Sequence, residues 1–289
     1  MLAAKPILLA ALVVAAVGFA VLLASDSRRS RSRNEPGTPS GEGLLLGFVT
    51  NFFDTLGIGS FAPTTSYLKL RGGVADERIP GTLNVGHTLP SIAQALIFIV
   101  VVEVEPVTLV AMIAAAVLGA WLGAATVSRW PRRRIQAGMG CALAVAVAVM
   151  LATNLDLLPL GGDGLGLGGG WLLVAVAANF VLGALMTLGI GLYAPCMILV
   201  SLLGMSPRAA FPIMMGSCAF LMPVAGARFV RAGAYDVRTA VGLALGGIPG
   251  VLLAGLVVES LPLAAVRWLV VVVAAYAAIV MLRSARAGE

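Results

Sequence analysis

The chain has 289 residues, of which 60% are hydrophobic and only 11% are charged. Soluble domains carry about a quarter charged residues, so this composition excludes a water-soluble globule and makes lipid the natural solvent. The formal net charge of +6 sits in short clusters between apolar runs, at 28–33, 69–78, 129–134, 228–238 and 283–286; that is the pattern of cytoplasmic loops, not the continuous basic face that nucleic acid requires.

In chain order, residues 6–24 supply the ~20 apolar residues that a spanning helix needs. Lys5 before this run and Ser25 after it look like the edges of a signal peptide. The basic run Arg28, Arg29, Arg31, Arg33 opposes export of the chain downstream of it, so residues 1–25 are expected to be a retained helix with its N-terminus outside. Residues 26–42, rich in Ser, Arg, Pro and Gly, read as a basic, disordered cytoplasmic linker. The first half proper covers 43–155. It opens with an apolar stretch, 44–68, interrupted by Gly57, Gly59 and Pro63, and continues with spans at 80–102, 107–127 and 135–153. A Gly-rich external linker occupies 156–170. The second half, 171–289, repeats the order: an interrupted stretch at 172–203, then spans at 207–230, 237–258 and 263–282.

Charge decides how the interrupted stretches run. If both crossed fully, Arg129, Arg132, Arg133 and Arg134 would lie outside and Glu103 and Glu105 inside, against the positive-inside rule. If each enters and leaves on one side, every basic cluster becomes cytoplasmic. Glu103, Glu105, Asp156, Asp163 and Glu259 then face out, with Lys5 and Arg208 as exceptions. The expected fold is an all-α polytopic membrane protein of the cell (inner) membrane, with seven crossings, two re-entrant hairpins and a cytoplasmic C-terminus.

The halves also share a motif. Thr55-Leu56-Gly57-Ile58-Gly59-Ser60-Phe61-Ala62-Pro63 returns 132 residues later as Thr187-Leu188-Gly189-Ile190-Gly191-Leu192-Tyr193-Ala194-Pro195, with two substitutions in nine positions. With three crossings per half, the second copy starts on the opposite face, so the halves are expected to be inverted repeats of one hairpin plus three helices, the extra N-terminal helix standing apart. Transporters use this plan, with broken helices marking the site. The pairs Gly119/Gly123 and Gly246/Gly250 read as close helix packing.

The repeated glycines free the backbone from helical geometry. Pro63 and Pro195, which lack an N–H and have a preset φ, suit the first turn of a new helix. Each copy thus reads as helix, break, helix, with first-turn amides aimed at a common point at mid-membrane. Such a terminus stabilises an anion by ~0.3–1 kcal/mol when exposed and up to ~2 when partly buried. Two of them with hydroxyl donors would hold an oxyanion without a buried Lys or Arg; the competing reading is a pair of structural kinks. The expected substrate-binding residues are Thr55, Gly57, Gly59, Ser60, Thr64 and Thr65 in the first copy, and Asn84, His87 and Thr88 on the helix after it. Thr187, Gly189, Gly191, Cys196 and Ser217 complete the set in the second half.

Asn84, His87, Thr88 and Ser91 share one helical face, which in a bilayer must meet a cavity or another helix. His87, the single histidine, reads either as a packing group or as a substrate or proton contact. Asp54, the one acid beside the motif, reads as pairing with a donor or capping backbone. The cysteines, Cys141, Cys196 and Cys218, have no disulfide or metal spacing; no metal and no cofactor is implied. Without an HExxH or a nucleophile with its base, an enzyme is not expected.

The two GIG motifs, each in an apolar segment opening one half, resemble the TauE/SafE sulfite-exporter family over about 43–284. Members carry a glycine-richer GIGGG, whereas here Ser60-Phe61 and Leu192-Tyr193 follow before Ala-Pro. The resemblance implies an inner-membrane permease exporting sulfite or an organosulfonate such as sulfoacetate; its partners are a small anion and the bilayer, and a homo-oligomer is compatible with it. An anion channel, or a carrier of thiosulfate or another sulfur compound with Cys196 touching sulfur, are the alternatives.

Overall fold

The computed structural model describes residues 4–32, 38–123, 132–155, 157, 162–186 and 191–287. Regular structure among them is helical throughout, apart from one isolated bridge between Gly164 and Met205. Among the described residues, six helices are long and apolar enough to cross a bilayer: Lys5–Ser30, Asp76–Val101, Gly169–Met186, Pro207–Ala232, Val237–Val258 and Trp268–Arg286. Shorter apolar helices lie at Pro106–Leu122, Gln136–Ala152 and Tyr193–Leu202. The chain is a multi-pass membrane protein. It divides into two compact units, Met1–Val100 with Cys218–Val257 and Val101–Ser217 with Val258–Glu289, so each unit draws on both halves of the sequence.

In the first unit, α1 (Ala4–Ser32) runs seven residues past Ser25, into what composition reads as linker. Tertiary contacts hold that extension: Asp26 accepts the Tyr235 hydroxyl at 2.5 Å, and Phe19 and Leu23 pack with Val85, Tyr235 and Ala244. Along the rest of α1, Ile7, Val14, Val17 and Val21 are exposed, as expected of a lipid-facing surface. Next, α2 (Gly41–Thr55) is capped by the Ser40 hydroxyl, which accepts the Gly43 amide at 3.0 Å. The chain then breaks and returns as α3 (Phe61–Arg71), which ends at Gly72 with φ 63°. A short 3₁₀ turn, Asp76–Arg78, leads into α4 (Ile79–Val101), which carries Pro90 in its interior.

Glu42, in the first turn of α2, accepts the Tyr67 hydroxyl at 2.6 Å and the Arg71 guanidinium at 3.0 Å from the last turn of α3. The first interrupted stretch therefore doubles back on itself. At ~1.5 Å per residue, the 15 residues of α2 rise ~22 Å, short of the ~30 Å hydrocarbon core. Opposite α2 lies α10 (Val237–Ser260), and the two backbones meet through glycine: a Cβ on Gly246 would collide with the Leu44 carbonyl, and one on Gly250 would lie 2.4–3.2 Å from Phe48 backbone atoms. The small-residue packing expected of Gly246/Gly250 is found here.

The second unit contains α5 (Pro106–Leu118), whose continuation Gly119–Gly123 widens into a π-helical turn, and α6 (Arg132–Asn154). It also holds α7 (Gly169–Met186), α8 (Tyr193–Leu202) and α11 (Leu263–Ala287). The helix α9 (Ala210–Ala232) contributes its first turns to this unit and the remainder to the other. α5 and α7 approach through Gly119, whose Cβ would strike the Phe180 carbonyl, and Gly183, whose Cβ would strike that of Ala116. The described residues just ahead of α7 are pinned: the Glu105 amide donates to the Leu165 carbonyl at 2.7 Å and the Ser206 amide to that of Gly164 at 2.8 Å. Gly164, ahead of α7, is thus bound to residues just after α8, and the second interrupted stretch also doubles back. Its first arm, α7, is 18 residues long, about 27 Å, and is by itself long and apolar enough to cross a bilayer.

Candidate functional site

The break between α2 and α3 is built by two glycines in the left-handed region, Gly57 at φ 96° and Gly59 at φ 87°, where a side chain would be strained. The Gly57 amide closes on the Asp54 carbonyl at 2.8 Å and that of Ile58 on the Phe53 carbonyl at 3.1 Å, so glycine ends the helix by capping its last carbonyls. The chain restarts at Phe61, with Pro63 in the first turn as its fixed φ and missing N–H predict. Ser60, the residue before α3, makes no side-chain cap. Its amide instead donates to Asp54 Oδ1 at 2.6 Å.

Around this break lies a buried polar network. Asp54 Oδ2 accepts Gln94 Nε2 at 2.9 Å, and the same amide group donates to Thr55 Oγ1 at 3.0 Å. The Thr55 hydroxyl donates to the Asn51 carbonyl at 2.8 Å. Asn51 Nδ2 donates to the Gly47 carbonyl at 2.8 Å, so its oxygen is left to accept His87 Nδ1–H at 3.0 Å. With the proton on Nδ1, the neutral ring accepts the Thr64 hydroxyl at Nε2, 3.2 Å away. Asn51, Thr55, Thr64, His87 and Gln94 are fully enclosed, and Asp54 and Ser60 are 3% exposed. The network ties both arms of the hairpin to α4. In a region without water, polar groups persist only when they satisfy one another. Gly247 of α10 closes the site, since a Cβ there would meet Asn51 Nδ2 and Pro90 Cγ at 2.5 Å.

Of the residues expected at the first copy, Thr55, Gly57, Gly59, Ser60, Thr64 and His87 belong to this break and network. Thr65 is half-buried beside Pro63. Asn84 and Thr88 are buried but turn back onto α4, to the Pro80 carbonyl at 2.9 Å and the Asn84 carbonyl at 2.5 Å. Asn51, Asp54 and Gln94 complete the network; they belong to the polar residues that cluster around the motif and on the helix after it, but not to the expected substrate-binding set. Helical spacing is the signal that finds them: 51, 54 and 55 fall on one face of α2, and Gln94 lies seven residues after His87.

The second break, in the other unit, begins after Met186. Thr187 and Gly189 lie outside the described residues. Gly191 is half-buried, and α8 starts at Tyr193 with Pro195 in its first turn, as Pro63 stands in α3. The Cys196 thiol is fully buried, and the Cys196 amide donates to the Leu192 carbonyl at 3.0 Å. Ser217 donates to the Ile213 carbonyl at 2.7 Å and accepts Asn179 Nδ2 at 3.2 Å, while Asn179 also donates to the Met112 carbonyl at 2.7 Å. Asn179, one asparagine in an apolar run, is a buried polar residue that no motif in the sequence points to.

Outside the spans, the hydrogen bond from Tyr67 and then the guanidinium of Arg71 hold the exposed Glu42 carboxyl below its ordinary range.

Apolar helices interrupted by glycine around a dehydrated polar cluster define a multi-pass membrane protein of transporter type. The chain matches the family described as Sulfite exporter TauE/SafE over residues 1–150, and it belongs to that family of membrane transporters. The match takes in α1 and the basic linker, whereas the motif resemblance begins only at 43. No curated protein and no solved structure matches the chain.

Proposed function

We propose that this chain is a secondary transporter that exports a small sulfur oxyanion, sulfite or an organosulfonate such as sulfoacetate, by alternating access. One observation carries the reading: the Ser60 amide at the restart of the broken helix already holds an oxygen anion, the Asp54 carboxylate, at 2.6 Å. A backbone donor at the start of a helix favours negative charge through both its N–H and the helix dipole, and family membership supplies the sulfur chemistry. The first-turn amides of Phe61 and Ala62 stand next to it, with Gly57, Gly59, Ser60 and Thr55 lining the break. Thr64 and His87 act by fixing α3 against α4. In the second half, Thr187, Gly189, Gly191, Cys196 and Ser217 are the proposed counterparts, with Pro63 and Pro195 restarting the helices. The doubling back of both interrupted stretches supports re-entrant hairpins within an inverted repeat.

The test is flux in proteoliposomes. Uptake of labelled sulfite or sulfoacetate should saturate and be accelerated by unlabelled anion on the opposite side. Flux that rises linearly without counterflow would make the protein a channel. Equal saturation by thiosulfate, lost in Cys196→Ala, would move the substrate to that anion.

A further inference from the structure

We propose that Asp54 is the proton-binding group of the transport cycle, so that each anion binds together with one proton. This rests on the anion-transporter reading above and adds its coupling ion.

Three observations carry the inference. The Asp54 side chain is 3% exposed, and its hydrogen-bond donors, the Ser60 amide, the Ser60 side chain and the Gln94 side chain, are all neutral. No Lys or Arg lies on α4, and those of α3, Lys69 and Arg71, stand in its last turn. The carboxylate also occupies the amide beside the restart of α3, where an incoming oxyanion would bind. Two negative charges a few ångströms apart in a low-dielectric site repel strongly, and one of them is lost by protonation. Finally, Gln94 carries both a donor and an acceptor, so it can serve the carboxylate and, turned over, the carboxylic acid; a lysine there would hold the charged form permanently.

The sequence of events balances. A proton adds to the Asp54 carboxylate, the neutral acid releases the Ser60 amide, and the substrate anion takes that amide. For a monoanion the occupied site then carries the same net charge as the empty one. The other titratable groups on the surrounding elements are His87 on α4, Glu42 in the first turn of α2, Tyr67, Lys69 and Arg71 towards the end of α3, and, on α10, Arg238 near its start and Glu259 near its end. His87 has both ring nitrogens engaged, by Asn51 and Thr64, and serves as a neutral strut.

Calorimetry on the detergent-purified full chain tests this, with methanesulfonate and sulfate as probes because their charge is constant across the neutral range. Titrations in two buffers of different ionisation enthalpy count the protons exchanged. The wild type should take up about one proton per anion, with affinity falling roughly tenfold per pH unit above the titration of Asp54. Asp54→Asn should bind with pH-independent affinity and no proton uptake, and Asp54→Glu should restore the uptake. Anion binding by the wild type without proton uptake would overturn the proposal while leaving the transporter reading intact, and so would full uptake by Asp54→Asn. Failure of the wild type to bind either probe or sulfite would overturn both.

Discussion

His87 shows how a single polar side chain is tolerated at membrane depth. Its two nitrogens meet an acceptor on α2 and a hydroxyl on α3, so α4 is bonded to both arms of the hairpin through one ring. Removing it leaves Asn51 Oδ1 and the Thr64 hydroxyl buried without partners, at about 1–3 kcal/mol each. His87→Ala should therefore cost about 2–6 kcal/mol. Asn84→Ala, which removes only a bond within α4, should cost about 1 kcal/mol or less. Thermal unfolding in detergent compares them; equal losses would mean that the ring does not join the helices. Asp54 carries the complementary lesson. The sequence leaves it open whether it pairs with a donor or caps backbone, and in the structure it does both, one oxygen for each. That outcome depends on Gln94, forty residues away, and no local pattern contains it.

Whole elements are governed by their ends. Glu105 caps α5 by accepting the Val107 amide at 3.0 Å, the Thr108 amide at 2.7 Å and the Thr108 hydroxyl at 2.8 Å. Burial pushes its carboxyl up, but the bonds from Thr108 and Val107 outweigh this and hold it below the ordinary carboxylate range. A folded-state value below the unfolded one means that the cap adds stability above the unfolded pKa of ~4.3. That contribution is lost as the pH falls through the folded value. Glu105→Ala should cost about 1 kcal/mol at neutral pH, and melting curves of variant and wild type should converge in acid. A gap that stays constant with pH would refute the ionised cap. The breaks themselves were legible, because glycine and proline act on their own backbone: Gly57 and Gly59 have positive φ, and Pro63 and Pro195 stand in first turns. The extent of α1 was not: it continues through a basic segment because Tyr235 and neighbouring side chains hold it there.

For the molecule as a whole, charge and chain path bear on the same question. The proposed re-entrant path puts the basic clusters at 69–78 and 129–134 on one side of the membrane, as the positive-inside rule asks, and the Glu42–Arg71 contact, which returns the end of α3 to the start of α2, supports it. Single cysteines at Lys69 and Arg133, both exposed, should react with an impermeant maleimide only from the cytoplasmic side, and one at Asp163 only from outside. Labelling of Lys69→Cys and Arg133→Cys from opposite sides would remove the re-entrant path.

Taken alone, the sequence determined the solvent, the helical class, the family and the positions of both breaks. Each of these follows from properties summed over a segment or confined to one residue's backbone: apolar content, charge distribution, glycine and proline. Only the tertiary structure decided which polar side chains form the site. Asn51, Asp54 and Gln94 satisfy one another across helices far apart in sequence. A hydrogen bond between helices depends on where each helix is laid down in space; spacing marks the polar faces of α2 and α4 but does not record which of their groups meet.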